Sequence, residues 1–135
     1  MEGYNGTAQF LYRHSDEERT HMLKLLKFIN ERGGHGLVPA LKQPTVKFKN
    51  IHEIFEQVFS HELLVSKEIN NLVDMCLSEK DYATHNFMQW YVTEQIEEER
   101  MARHILDKLK LIGEDKGGLY IFDRDLATLD TADKH

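Results

Sequence analysis

The sequence predicts an all-α fold of three long helices and a short fourth. Three observations carry that reading. Between residues 51 and 76 the apolar side chains recur at alternating spacings of four and three, which is one stripe along a helix. Both prolines, Pro39 and Pro44, fall in a single stretch, and the long runs on either side are rich in Leu, Glu and Lys, which favour helix. Gly33-Gly34, Gly113 and Gly117-Gly118 then punctuate those runs where a helix would stop.

The bulk properties agree. A chain of 135 residues is expected to form one domain, 1–135. With 30% charged and 41% hydrophobic residues it suits a globular protein and argues against disorder. A net charge of -6 disfavours nucleic acid as a partner and favours cations. The single Cys76 excludes a disulfide framework within the chain and suits a reducing cytoplasm. No apolar run approaches the roughly 20 residues of a membrane span. Residues 1–6 lack the basic and apolar regions of a signal peptide.

Residues 1–6 read as a turn, and Thr7 is expected to cap a first helix over about 8–32. Its stripe runs Phe10/Leu11, Leu25 and Phe28/Ile29, with His14, Glu18 and His21 filling the gap. Residues three apart on a helix lie about 60° apart around the axis, so Glu18 and His21 share a face, and it is the apolar one. Burying a carboxylate and an imidazole unpaired costs several kcal/mol. Two readings meet that cost: a salt-bridged core pair, or a metal shared with neighbouring helices. Residues 35–49 then read as a long extended connection, of a length that carries a chain from one end of a helical bundle to the other.

Asn50-Ile51-His52-Glu53 is a capping box that opens a second helix over about 51–78. Its seam reads Ile51, Phe55, Val58, Glu62, Val65, Ile69, Leu72, Cys76. Glu62 is the one foreign member, either snorkelling at the seam edge or recruited inward. Ser78-Glu79-Lys80-Asp81 forms a short turn, so a third helix over about 82–112 should run antiparallel. Its stripe reads Phe87, Tyr91, Glu94/Gln95, Glu98, Met101, Ile105, Leu109. In the acidic run 94–99, Glu99 reads as solvated, whereas Glu98 lies one heptad from both Tyr91 and Ile105. A short helix over about 119–129 is expected to dock through Leu119, Ile121, Phe122 and Leu126, followed by a frayed tail.

Glu18, Glu62 and Glu98 each lie near the middle of a helix. At roughly 1.5 Å per residue they can come level in one layer. Carboxylates gathered in a low-dielectric layer repel unless protonated or bound to metal. One histidine among oxygen ligands, without thiolate, suits Fe or Mn better than a structural zinc.

Here the chain resembles the bacterial non-haem ferritins. The resemblance rests on Glu17-Glu18-Arg19-Thr20-His21, on Glu62 after His61, and on the run Tyr91-Val92-Thr93-Glu94-Gln95-Ile96-Glu97-Glu98-Glu99. It extends over 30–34, 79–84, 105–110 and 119–126. It implies a ferritin-like up-down bundle with a long crossover, and a homo-oligomeric shell of 24 subunits in the family. The implied activity is oxidation of Fe(II) by O2 or H2O2 at a di-iron site, followed by storage as ferric mineral, with no haem. Glu18 and His21 would then hold the first iron, with Glu18 bridging; Glu62 and Glu98 would hold the second. Gln95 would hydrogen-bond a bound oxygen species, and Glu17, Glu94 and Glu97 would form a third iron position. Trp90 and Tyr91 are candidate electron donors or plain core aromatics.

One departure from the family pattern is expected. The family carries a further long helix before the segment matching Tyr4-Asn5-Gly6, so the first helix here corresponds to the family's second. That element supplies one carboxylate to the first iron. Without it an apolar stripe worth roughly 10 kcal/mol of burial would be open, at about 25 cal/mol per Å². The alternative function is therefore a ferritin-like assembly subunit with weak or no ferroxidase activity. A peroxide-reducing di-iron enzyme fits less well, because Gln95 and Glu98 stand in place of a second Glu-x-x-His. His14 reads as a helix-surface or core-edge histidine, and Cys76 as a small buried hydrophobe.

Overall fold

The computed structural model describes residues 3–32 and 50–129. The expected helix stop at Gly33-Gly34, the extended connection over 35–49 and the tail after 130 lie outside the described residues. The described residues form helices α1 (Asn5–Glu31), α2 (Ile51–Ser78), α3 (Tyr82–Ile112) and α4 (Lys116–Thr128). They fall into two compact units, one pairing α2 with α3 and the other pairing α1 with α4.

In the first unit the expected boundaries of α2 and α3 hold to the residue, because local signals set them. Asn50 is extended and its side chain accepts from the Glu53 amide at 2.9 Å, one half of the capping box. Asp81 does the same for α3, accepting from the Thr84 amide at 3.1 Å. The turn between them closes with Lys80 in the left-handed region at φ 57 and a bond from the Asp81 amide to the Cys76 carbonyl at 2.8 Å. Gly113, at φ 64, ends α3 with its amide on the Leu109 carbonyl. The Arg103 guanidinium lies 5.1 Å over the Phe59 ring, tying α3 to α2 from outside.

The α2 seam is only half right. Phe55, Glu62, Ile69 and Cys76 are all buried. The other column starts buried at Ile51, is half-buried at Val58 and Val65, and ends at Leu72, which is 42% exposed. A straight helix drifts about 20° per heptad from a strict four-three stripe, which carries the leading column out towards water. Ile54 takes a buried place that the seam did not include.

In the second unit both helices start earlier than expected. Thr7 is not the cap of α1; the helix begins at Asn5, and Tyr4 in the cap position makes no side-chain cap bond. The cap comes from α4. Asp123 accepts from the Gly6 amide at 3.1 Å, from the Thr7 amide at 2.7 Å and from the Thr7 hydroxyl at 2.7 Å. A carboxylate there satisfies orphan amides and complements the positive end of the helix dipole. Gly6 makes this approach possible, since a Cβ on it would fall on the Asp123 carbonyl oxygen. In return, Arg13 donates to the carbonyls of Leu126, Ala127 and Leu129 at 2.7, 3.0 and 2.8 Å, covering the C-terminal end of α4.

Helix α4 begins at Lys116 rather than near 119, because Asp115 caps it by accepting from the Gly118 amide at 2.7 Å. Gly117 and Gly118 thus form its first turn instead of a break. Phe122 and Leu126, four apart, are buried; Ile121, about 100° away around the axis, is 49% exposed and does not dock.

Candidate metal centre

The α2–α3 unit takes three carboxylates and an amide into its interior. Glu62 and Glu98 are each 1% exposed, Glu94 4% and Gln95 7%. Glu62 and Glu98 bring carboxylate oxygens within 4.8 Å of each other. At an effective dielectric of about 20, two full charges at that distance repel by about 3 kcal/mol. A divalent cation between them turns this repulsion into attraction, which is the chemical use of such a pair.

The position of Glu62 is fixed twice over. The Gln95 amide nitrogen donates to its carboxylate at 2.7 Å and to its backbone carbonyl at 2.8 Å. The Ser66 hydroxyl donates to that same carbonyl at 3.0 Å. Gln95 thus holds the Glu62 carboxylate against the backbone of α2. Glu97 is half-buried and receives Arg100 at 3.0 and 3.2 Å. Glu99, expected to be solvated, is half-buried. Tyr91 packs edge-on to Trp90 at 4.9 Å and lies tilted at 5.6 Å from Phe87. Desolvation in this packing pushes its phenol up to about 12.

In the α1–α4 unit, α1 presents four ligand-type side chains over two turns. His14 Nε2 lies 3.6 Å from Glu18 Oε1, and His21 Nε2 lies 3.9 Å from Glu17 Oε1. His14, Glu17 and His21 side chains are 12%, 13% and 16% exposed, and Glu18 is 33% exposed. The His14 ring stacks on the fully buried Phe10, with centroids 6.0 Å apart and planes at 13°. His14, which the sequence reading set at the helix surface or core edge, stands beside Glu18 among ligand-type side chains. Its signal was present: it stands one helical turn before Glu18, as Glu17 stands one turn before His21.

Comparison with known proteins narrows what this arrangement serves. Residues 1–112 match the ferritin-like domain family. A probable bacterial non-haem ferritin-like protein of Haemophilus influenzae is 45% identical over 131 residues, 97% of this chain and 79% of that protein. A bacterial non-haem ferritin of Campylobacter jejuni is 46% identical over 120 residues, covering 89% and 72% of the two chains. Among solved structures, an open-pore ferritin of Archaeoglobus fulgidus superposes with a TM-score of 0.92 at 41% identity, covering 95% of this chain and 78% of that one. No helix among the described residues is long and apolar enough to cross a membrane.

Proposed function

The chain belongs to the ferritin family, and from that premise we propose that it stores iron, oxidising Fe(II) at paired carboxylate positions and depositing ferric mineral inside an oligomeric cage. One observation carries the reading: Glu62 and Glu98, each 1% exposed, have oxygens within 4.8 Å of each other. A divalent cation held between them would turn the mutual repulsion of two buried carboxylates into attraction.

In the proposed site Glu18 and His21 would hold the first Fe(II), and Glu62 with Glu98 the second. Glu17, Glu94 and Glu97 offer a third position on the route to storage. Each of two Fe(II) gives one electron; O2 takes both, with two protons, and leaves as H2O2. When H2O2 is the oxidant, the same two electrons and two protons yield two waters. The chain's own part is electrostatic. Anionic carboxylates in a low-dielectric interior favour the triply charged ion over the doubly charged one. Gln95 keeps the Glu62 carboxylate in place while that charge changes.

Assembly is supported by large apolar side chains left open to water, among them Leu64 at 52% and Met75 at 57% on α2. The proposal places the chain in the cytoplasm, in keeping with its single free cysteine.

Aerobic addition of Fe(II), followed by ferric absorbance, tests the activity. Fast growth of absorbance and a retained mineral core are expected, with the fast phase lost in Glu62→Ala. An unchanged rate in that variant would remove Glu62 from the mechanism. Light scattering tests the cage: a small stable oligomer overturns it. A large assembly that does not oxidise iron would identify an assembly subunit instead.

A further inference from the structure

We propose that His14 is a metal ligand, closing with Glu18 a chelate across one turn of α1. This rests on the iron-storage reading but adds a nitrogen donor which that reading lacks, since the family mapping gives Glu18 only His21 as its imidazole companion.

The geometry is that of a chelate needing little movement. At metal–donor bonds of about 2.1 Å a tetrahedral ion holds two donor atoms about 3.4 Å apart, and a six-coordinate ion holds cis donors about 3.0 Å apart. His14 Nε2 and Glu18 Oε1 stand 3.6 Å apart. The neighbouring pair, His21 Nε2 and Glu17 Oε1, stands 3.9 Å apart and must close further. The His14 ring is also set in advance. Its face lies along Phe10, which is 0% exposed, and the side chain itself is 12% exposed. Little rotamer freedom is left to lose when a cation arrives. Helix α1 thus carries two histidine–glutamate pairs of opposite order, His14 before Glu18 and Glu17 before His21, each spanning four residues.

The probe is Co(II), which reports its ligands in the visible spectrum and does not turn over. The full-length apoprotein is titrated without oxygen, together with His14→Phe, which keeps a ring against Phe10, and His14→Gln, which keeps a polar group. Circular dichroism checks helical content. Both variants are expected to bind Co(II) about tenfold or more weakly and with an altered ligand-field spectrum. Unchanged affinity and spectrum in both overturn the proposal and leave the His14–Glu18 contact as an ion pair only. A crystal of the unaltered chain soaked in Co(II) decides without any substitution. An anomalous peak within about 2.5 Å of His14 Nε2 supports the chelate, and peaks only elsewhere refute it. Failure of the unaltered protein to oxidise Fe(II) would strike the iron-storage reading alone, because neither Co(II) readout depends on turnover.

Discussion

Replacing Asp123 by alanine removes the cap that one helix places on another. Three hydrogen bonds go with it, from the Gly6 amide, the Thr7 amide and the Thr7 hydroxyl. Loss of an N-terminal cap costs about 1 kcal/mol. Thr7 is 0% exposed, so its hydroxyl would lose its partner away from water, at a cost of about 1–3 kcal/mol. The expected destabilisation is therefore about 2–4 kcal/mol. Urea unfolding followed by circular dichroism, at one fixed protein concentration, measures it. Asp123→Asn keeps an acceptor but loses the charge facing the helix dipole, and should cost about 1 kcal/mol. In a Thr7→Val background the Asp123→Ala cost should shrink by the hydroxyl's share. Asp125→Ala, on an exposed neighbour whose carboxylate meets Arg124 at 3.5 Å, serves as the control and should fall within about 0.5 kcal/mol of the parent. An Asp123→Ala chain as stable as that control would show that the α1 terminus does not depend on α4, and the argument would fail.

Gly6→Ala should destabilise by about 2 kcal/mol or more in the same assay, because the added Cβ meets the Asp123 backbone carbonyl, which cannot turn aside, and lies 3.2 Å from the Ala127 amide. Asn50→Ala should cost about 1 kcal/mol, lost from the start of α2, and should raise amide exchange at Glu53 first. Tyr91 should form phenolate only near pH 12, read by ultraviolet difference absorbance. Its folded pKa lies above the unfolded value of about 10, so the folded chain holds the extra proton between those values. Its stabilising contribution is complete below pH 10 and is lost as pH rises through that window. A Tyr91 titrating near 10 in the folded protein would contradict its burial. The Cys76 thiol is pushed up by burial, with Asp81 and then Glu79 adding to the effect, so it should alkylate more slowly than a free thiol at neutral pH.

Helices α2 and α3 were legible in the sequence to their first and last residues because everything that bounds them is local. Asn50 and Asp81 cap within three residues, Gly113 supplies a left-handed stop, and the four-three period needs no knowledge of a partner. The placing of Glu62 and Glu98 in the interior was legible for the same reason, since each interrupts an apolar stripe in register. The Asp115 cap on α4 was local too, but the glycine pair beside it obscured the signal. The start of α1 could not be read locally. Its cap lies 116 and 117 residues away along the chain, on a side chain that reaches it only after α4 has packed. The same holds for Gln95, whose amide reaches a carboxylate 33 residues distant. Periodicity reports which side of a helix avoids water. It does not report which polar group on another helix will meet that side, because hydrogen bonds act over about 3 Å and depend on the final approach of the backbones.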